Sequence, residues 1–203
     1  MGKLLRKVKE VGLKNVLVGY GKRMYYKKLR KKYQFDSWHE SPYELRKYAQ
    51  ATAEYINKHN AHTVVDIGCG LGEVLRNVSA TKRIGLDGCG RCIEVAKKID
   101  KSKTIEYSVG SFDKLKVNGS IDYVITIGFM HGSREDAWKE AYHECAKRND
   151  IKTFIVDVLP ENPPTHHLDF DLILPNNYVL KEKMGPFLGD RWLFVYEKKK
   201  EMV

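Results

Sequence analysis

No apolar run in this chain approaches the roughly 20 residues that a membrane-spanning helix needs, so a spanning segment is not expected. The first residues also lack a charge-free apolar stretch with a small-residue cleavage site, which argues against a secretory leader. Arg6 stands where an N-myristoylation signal wants Ser or Thr, so Gly2 is not expected to be acylated. Cysteine is scarce. Of Cys69, Cys89, Cys92 and Cys145, only Cys89 and Cys92 form a Cys-x-x-Cys pair, and without a second pair a zinc ribbon is not expected. These absences predict reduced, structural cysteines and a cytoplasmic protein. There is no internal repeat and no low-complexity tract beyond a basic arm.

Acidic residues are nearly missing from that arm. Residues 1–32 hold twelve Lys and Arg against Glu10 alone, a charge of +11. The other 171 residues hold twenty-four basic and twenty-five acidic side chains, so the net +10 belongs to the arm and the rest is close to neutral. Dense positive charge suits anionic lipid or nucleic acid. Leu4, Leu5, Val8 and Val11 recur at helical spacing among the basic residues, and Val16, Leu17, Val18, Tyr20, Met24, Tyr25, Tyr26 and Leu29 continue the interleaving. This predicts a helical arm on an anionic membrane surface, with a plain helical extension packed on the domain as the alternative. Nucleic acid is the less favoured partner, and the oligomeric state is not legible. Residues 1–40 are taken as the arm with an aromatic segment, and 41–203 as one domain, long enough for a full core.

Along that domain strands alternate with helices. A helix is predicted over Glu44–Lys58, with Ser41 as its cap and Pro42 at its first position. Strands are predicted at Thr63–Gly68, Arg83–Asp87, Thr104–Val109, Ile121–Ile127 and Lys152–Val158, with helices at Glu73–Ser79, Cys92–Ile99 and Arg134–Lys147. Two further strands, near Tyr178–Lys183 and Trp192–Glu197, are expected to form an antiparallel edge. The pattern gives an α/β, doubly wound, mostly parallel seven-stranded sheet, which binds ligands at the carboxyl ends of its strands.

The most informative stretch is Asp66-Ile-Gly-Cys-Gly-Leu-Gly72, an apolar strand breaking into three alternate glycines. Asp87 ends the next apolar run, twenty-one residues beyond Asp66. Small residues let a backbone approach a ligand, and an acid about 20 residues on can take both hydroxyls of a ribose. A nicotinamide fingerprint would put its third glycine one residue later, and a carboxylate at Asp66 would repel a pyrophosphate. The same carboxylate suits the ammonium of S-adenosylmethionine, which has no phosphate. A glycine turn without a ligand and a dinucleotide enzyme are the other readings.

The stretch from Asp66 to Gly72, with Asp87, closely resembles the first two motifs of class I S-adenosylmethionine-dependent methyltransferases. The resemblance covers roughly residues 40–198 and implies a Rossmann-like fold, S-adenosylmethionine as cofactor, and cofactor contacts from Asp66, Gly68, Gly70, Gly72 and Asp87. It also places Val109–Asp113 at the adenine edge, through Ser111 or Asp113, with Phe112 against the ring; Ser111 stands where the family commonly has an acid. The strand at 121–127 lacks the Asn/Asp-Pro-Pro-aromatic signature of enzymes that methylate exocyclic amines of bases or glutamine. It also lacks the Pro-Cys nucleophile of cytosine-C5 enzymes. Both absences favour oxygen as the nucleophile. A hydroxyl acceptor needs its proton removed during attack. His131, just past that strand, is the favoured general base.

Phe35–Tyr43, reading Phe-x-x-Trp-His-x-Ser-Pro-Tyr, is similar to small methyltransferases of bacterial surface-polysaccharide gene clusters. That likeness implies a sugar hydroxyl or related glycan substituent as acceptor, with Trp38 and Tyr43 as a stacking face and His39 as a polar contact. Trp38 and Tyr43 could equally anchor the preceding helix. Asp157, His166 and His167 are rival bases or acceptor contacts. Adjacent His residues point apart and no second cluster completes a metal site, so no metal is expected. An RNA methyltransferase using the arm for phosphates and a non-catalytic cofactor-binding module are the alternatives.

Overall fold

The computed structural model describes residues 2–132, 135–162 and 165–200. Two helices, α1 (Lys3–Val11) and α2 (Leu13–Tyr33), form the basic arm. Gly12 separates them at φ 83°, and α2 stops where Gln34 turns left-handed at φ 56°. Arg30, Lys31 and Lys32 occupy the last turn of α2, where cations complement the helix dipole. After 3-10 turns at Ser37–Glu40 and Tyr43–Leu45 come α3 (Lys47–Lys58), β1 (Thr63–Ile67), β2 (Lys82–Asp87) and α4 (Gly90–Ile99). The chain continues through β3 (Ile105–Val109), β4 (Ile121–Thr126), α5 (Asp136–Arg148), β5 (Ile151–Val158), α6 (Phe170–Ile173), β6 (Tyr178–Phe187) and β7 (Arg191–Lys198).

The seven strands form one sheet in the order β3-β2-β1-β4-β5-β7-β6. Pairing is parallel from β3 through β5, and the β6–β7 pair supplies the antiparallel edge. Because side chains alternate across a strand, neighbours serve opposite layers. Val65, Val124, Phe154 and Val156 pack on one face with Tyr142 and Phe170 from α5 and α6. Val64, Ile125, Ile155 and Val195 pack on the other with Ala49, Ala53 and Ile56 from α3 and Ile93 and Ala96 from α4. Strand order reverses between β1 and β4, which opens a crevice at their carboxyl ends.

The arm packs on the domain along one face. Val16, Gly19, Tyr26 and Leu29 of α2 are buried, and a Cβ on Gly19 would lie 2.5 Å from Leu45 Cγ, so the approach needs glycine. Tyr26, Leu29 and Phe35 share a third cluster with Leu71 of the glycine turn and Cys92 and Val95 of α4. The opposite face is open to water. Leu13, Leu17, Tyr20 and Met24, at helical spacings of four, three and four, are all exposed. Among the described residues no helix is long and apolar enough to cross a membrane.

Two predicted elements differ. Glu73–Ser79 is not a helix but a series of turns with a short 3-10 segment at Leu75–Asn77. Its carbonyls are claimed elsewhere: Arg83 donates to Leu75 and Val78, Asn57 to Asn77, and the Asn77 side chain to Glu73. Likewise Ser41 caps no helix. Tyr43–Leu45 closes a separate 3-10 turn on Pro42, and Arg46, at φ −121°, precedes the start of α3. Gln50 donates to the carbonyls of Tyr43 and Glu44, which fastens this break. The expected start of the following helix at Arg134 lies outside the described residues; α5 begins at Asp136. All four cysteines are free thiols.

Candidate functional site

A cavity of about 270 Å³ opens at the carboxyl ends of β1, β2, β3 and β4. Its floor is the turn after β1. Gly68, Gly70 and Gly72 take φ values of 80°, 53° and 72°, a region that β-carbons disfavour. An aromatic or imidazole ring sits against each of the three: Phe129 on Gly68, His39 on Gly70 and Tyr107 on Gly72. Asp87, at the end of β2, locks the floor in place. Its Oδ2 accepts from Gly70 N at 2.7 Å and its Oδ1 from Cys89 N at 2.8 Å, while its carbonyl accepts from Gly110 N at 3.1 Å. The turns after β1, β2 and β3 are thereby joined at one residue, the first two through its carboxylate and the third through its carbonyl.

Around this floor stand Asp36, Trp38, His39 and Ser41 from the aromatic segment, Arg46 and Glu73, Gly110 and Ser111 after β3, and Ile127, Gly128 and Phe129 after β4. Glu73 is buried, accepting from Tyr26 Oη at 2.6 Å and from Arg46 Nη2 at 3.0 Å. Arg46 Nε is buried and, among the described residues, has no hydrogen-bond partner. Arg46 carries no sequence signal, because the fold brings it to the cavity from outside the glycine motif, whereas Glu73 directly follows Gly72. A more open hollow of about 410 Å³ lies between α2 and the end of α4, lined by residues such as Lys22, Tyr25, Arg83 and Asp100. No strand contributes its carboxyl end to it.

The expected site residues divide. Gly68, Gly70, Asp87, Ser111, Trp38 and His39 line the cavity, and Gly72 lies in its floor turn. Asp66 lies beneath the floor, 3% exposed and outside the lining. Burial, with a smaller push from Asp87 and relief from Arg46, raises its pKa to about 7. Phe112, expected against an adenine ring, turns instead into the core, its ring 4.8 Å from that of Tyr142. Tyr43 packs against the cluster on the α3 side of the sheet.

His131 is buried behind the wall that Gly128 and Phe129 form, and it does not line the cavity. Its Nε2 lies 3.0 Å from Asp157 Oδ1, off the line of a hydrogen bond. Burial first, and Arg191 second, lower its pKa to about 4. Asp157 accepts from Gly128 N at 3.0 Å and from Arg191, whose guanidinium covers the Tyr48 ring at 4.2 Å. Asp157 thus braces the end of β4, with the His131 ring beside it. His166 and His167 lie on the loop after β5, beside Glu161 and the Leu159 carbonyl, also outside the cavity lining. Among the described residues, no three or more His, Cys, Asp or Glu are grouped to hold a metal ion.

The raised pKa of Asp66 has a measurable consequence. An unfolded Asp titrates near 4, so folding favours the protonated form. The stability this contributes is complete below about pH 4 and is lost as pH rises through the folded value of about 7. Asp66→Asn keeps the shape without the charge. Its melting temperature should match the parent near pH 4 and exceed it at pH 8 by roughly 10 °C, for a difference of up to about 4 kcal/mol. Equal pH dependence in both proteins would refute the assignment.

Residues 64–149 match the family model described as a methyltransferase domain. No curated protein matches the chain. Among solved structures, it is similar to the magnesium protoporphyrin IX methyltransferase of Synechocystis PCC 6803 with bound S-adenosylmethionine, at TM-score 0.65 and 12% identity over 91% of this chain and 97% of that one. It is also similar to the N-methyltransferase NodS of Bradyrhizobium japonicum WM9, at TM-score 0.63 and 10% identity over 75% of this chain and 96% of that one. A putative RNA methyltransferase of Pyrococcus horikoshii gives TM-score 0.60 and 13% identity over 86% of this chain and 99% of that one. Identities this low carry the fold, and these names leave the acceptor of the present chain open.

Proposed function

We propose that this chain, a class I S-adenosylmethionine-dependent methyltransferase, methylates a hydroxyl oxygen of a glycan or glycan precursor. The cofactor supplies a methyl group already activated by its sulfonium, so the protein's task is to align the acceptor and exclude water. The cavity fits that cofactor. Three left-handed glycines carry no side chains of their own, so rings pack directly against the floor turn, and Asp87 offers a carboxylate suited to ribose hydroxyls. Ser111 stands on the adenine side, while Arg46 and Glu73 present the two charges that the methionine end requires.

The observation that carries the acceptor reading is the rim. Trp38 lines the cavity yet is 86% exposed, a bare indole beside Asp36, His39 and Ser41. An apolar ring face with polar groups beside it matches a sugar, which offers C–H faces and hydroxyl edges. After β4 the wall reads Ile127-Gly128-Phe129, with no Asn-Pro-Pro element to receive an amine. The test is mass spectrometry after incubation with S-adenosylmethionine and a panel of saccharides, nucleotide sugars, amines and RNA. The mass gain of one methylene on a saccharide, lost when its hydroxyls are blocked, supports the reading. Product formed only from RNA or an amine would overturn it.

The arm is read as an anionic-membrane contact. The exposed stripe of Leu13, Leu17, Tyr20 and Met24 on α2 is flanked by exposed Lys14, Lys27, Lys28 and Lys31, an arrangement suited to the headgroup boundary of an anionic bilayer. The double variant Leu17→Glu, Met24→Glu should bind vesicles containing phosphatidylserine more weakly by about a hundredfold or more, since each buried side chain contributes about 1.5–3 kcal/mol. Unchanged vesicle binding, salt-sensitive binding of RNA by the full chain in its place, or a dimer that the variant abolishes would contradict it.

A further inference from the structure

We infer that His39, oriented by Asp36, is the group that accepts the hydroxyl proton. This rests on the hydroxyl reading above. The 3-10 turn Ser37–Glu40 is capped by Asp36, whose Oδ1 accepts from Trp38 N at 3.0 Å and lies 2.9 Å from His39 Nδ1. An ionised carboxylate can only accept, so this contact places the imidazole proton on Nδ1 and leaves the lone pair on Nε2. That edge of the ring lies over the cavity floor: the position of a Cβ on Gly70 is 2.6 Å from His39 Cδ2 and 3.3 Å from Nε2. Among the described residues, the Cys92 thiol of α4, 3.4 Å from Nδ1, and the edge-on Phe35 ring also face the imidazole. Burial holds the Cys92 thiol neutral, well above its usual range.

The other titratable groups of the lining are committed. Both oxygens of Asp87 hold backbone N–H groups, and Glu73 is held by Tyr26 and Arg46. Burial keeps the Cys69 thiol neutral, and Cys89 Sγ accepts from Cys92 N. His131, the base expected from sequence, lies behind the wall. Among the described lining residues, His39 keeps a basic lone pair on the cavity side.

The step balances without a further reactant. The acceptor oxygen bonds to the methyl carbon, the carbon–sulfur bond breaks with its electron pair remaining on sulfur, and the hydroxyl proton passes to His39 Nε2. The resulting imidazolium faces Asp36 and returns its proton to solvent after product leaves.

The test uses the full-length chain and begins with measurements that need no acceptor. Imidazole nitrogen NMR should show His39 in the Nδ1–H tautomer, and Asp36→Asn should lose that preference. S-adenosylhomocysteine affinity by calorimetry should be unchanged in His39→Gln. With an acceptor identified from the wild-type protein, His39→Gln should lower kcat by about a hundred- to ten-thousandfold and remove the acid limb of the pH profile, while His131→Asn retains that limb. Asp36→Glu should restore most of what Asp36→Asn loses. Retention of the acid limb in His39→Gln with its loss in His131→Asn overturns the assignment, as does a cofactor affinity that falls in step with kcat. If wild-type product proves to be a methylated amine, the hydroxyl reading fails instead, and the tautomer and affinity results stand apart from that outcome.

Discussion

Asp87→Ala is expected to weaken S-adenosylhomocysteine binding by a hundredfold or more. The carboxylate does two things. It holds the N–H groups of Gly70 and Cys89, at 2.7 and 2.8 Å, which fixes the floor before any ligand arrives. It also presents, in the proposed complex, the acceptor for the ribose hydroxyls. Hydrogen bonds to a charged group contribute about 1.5–3 kcal/mol each, and alanine removes both the preorganised floor and the ligand contact. Two such losses correspond to roughly two or more decades in affinity. Asp87→Asn should fall between, because its amide keeps one acceptor oxygen and turns the other position into a donor. Calorimetry on the folded variants reads this directly. An Asp87→Ala affinity within a factor of a few of the parent would remove Asp87 from the site.

Gly72→Ala is expected to lower the melting temperature by roughly 10 °C. The residue sits at φ 72°, and a Cβ there would lie 2.2 Å from Tyr107 Oη and 2.6 Å from two carbons of the same ring. The left-handed backbone costs a β-carbon residue about 1–2 kcal/mol. Crowding a buried rigid ring costs a further 1–3 kcal/mol or so. For a domain of this size each kcal/mol moves the midpoint by roughly 2–4 °C. Tyr107→Phe removes the nearest atom, so the double variant should recover part of the loss. Gly21, where an added Cβ meets nothing within 4 Å, is the control. Equal effects of alanine at Gly21 and Gly72 would show that the ring contact has no special weight.

What the sequence made legible was local. Buried strands such as Thr63–Ile67 announce themselves as short apolar runs, and the glycine turn with Asp87 needs only spacing to be recognised. The crevice at the switch point follows from the alternation of strands and helices. Elements whose form depends on distant side chains were not legible. Nothing local says that Arg83 and Asn57 claim the carbonyls around residues 75–78 and deny them a helix. Phe112 reads as a ring beside a ligand until α5 brings Tyr142 and Trp138 against it.

The two histidines show the same limit. His131 follows β4 directly and draws attention for that reason, yet the chain turns it behind Phe129 and against Asp157. His39 belongs to a segment thirty-one residues before Gly70, and only the packing of α2 on the domain lays its ring over the floor. Arg46 and Glu73 belong to the domain itself, and Tyr26 of the arm donates to Glu73 at 2.6 Å. The arm is therefore both the part of the chain with the excess charge and the part that completes the site.

The central claim is that the cavity over Gly68, Gly70 and Gly72 holds S-adenosylmethionine through Asp87. The most direct measurement is a calorimetric titration of the wild-type chain with S-adenosylhomocysteine, beside a matched titration with a pyridine dinucleotide. One saturable site per chain for the first, and no heat for the second, is the predicted result. Heat from the dinucleotide with none from S-adenosylhomocysteine would contradict it.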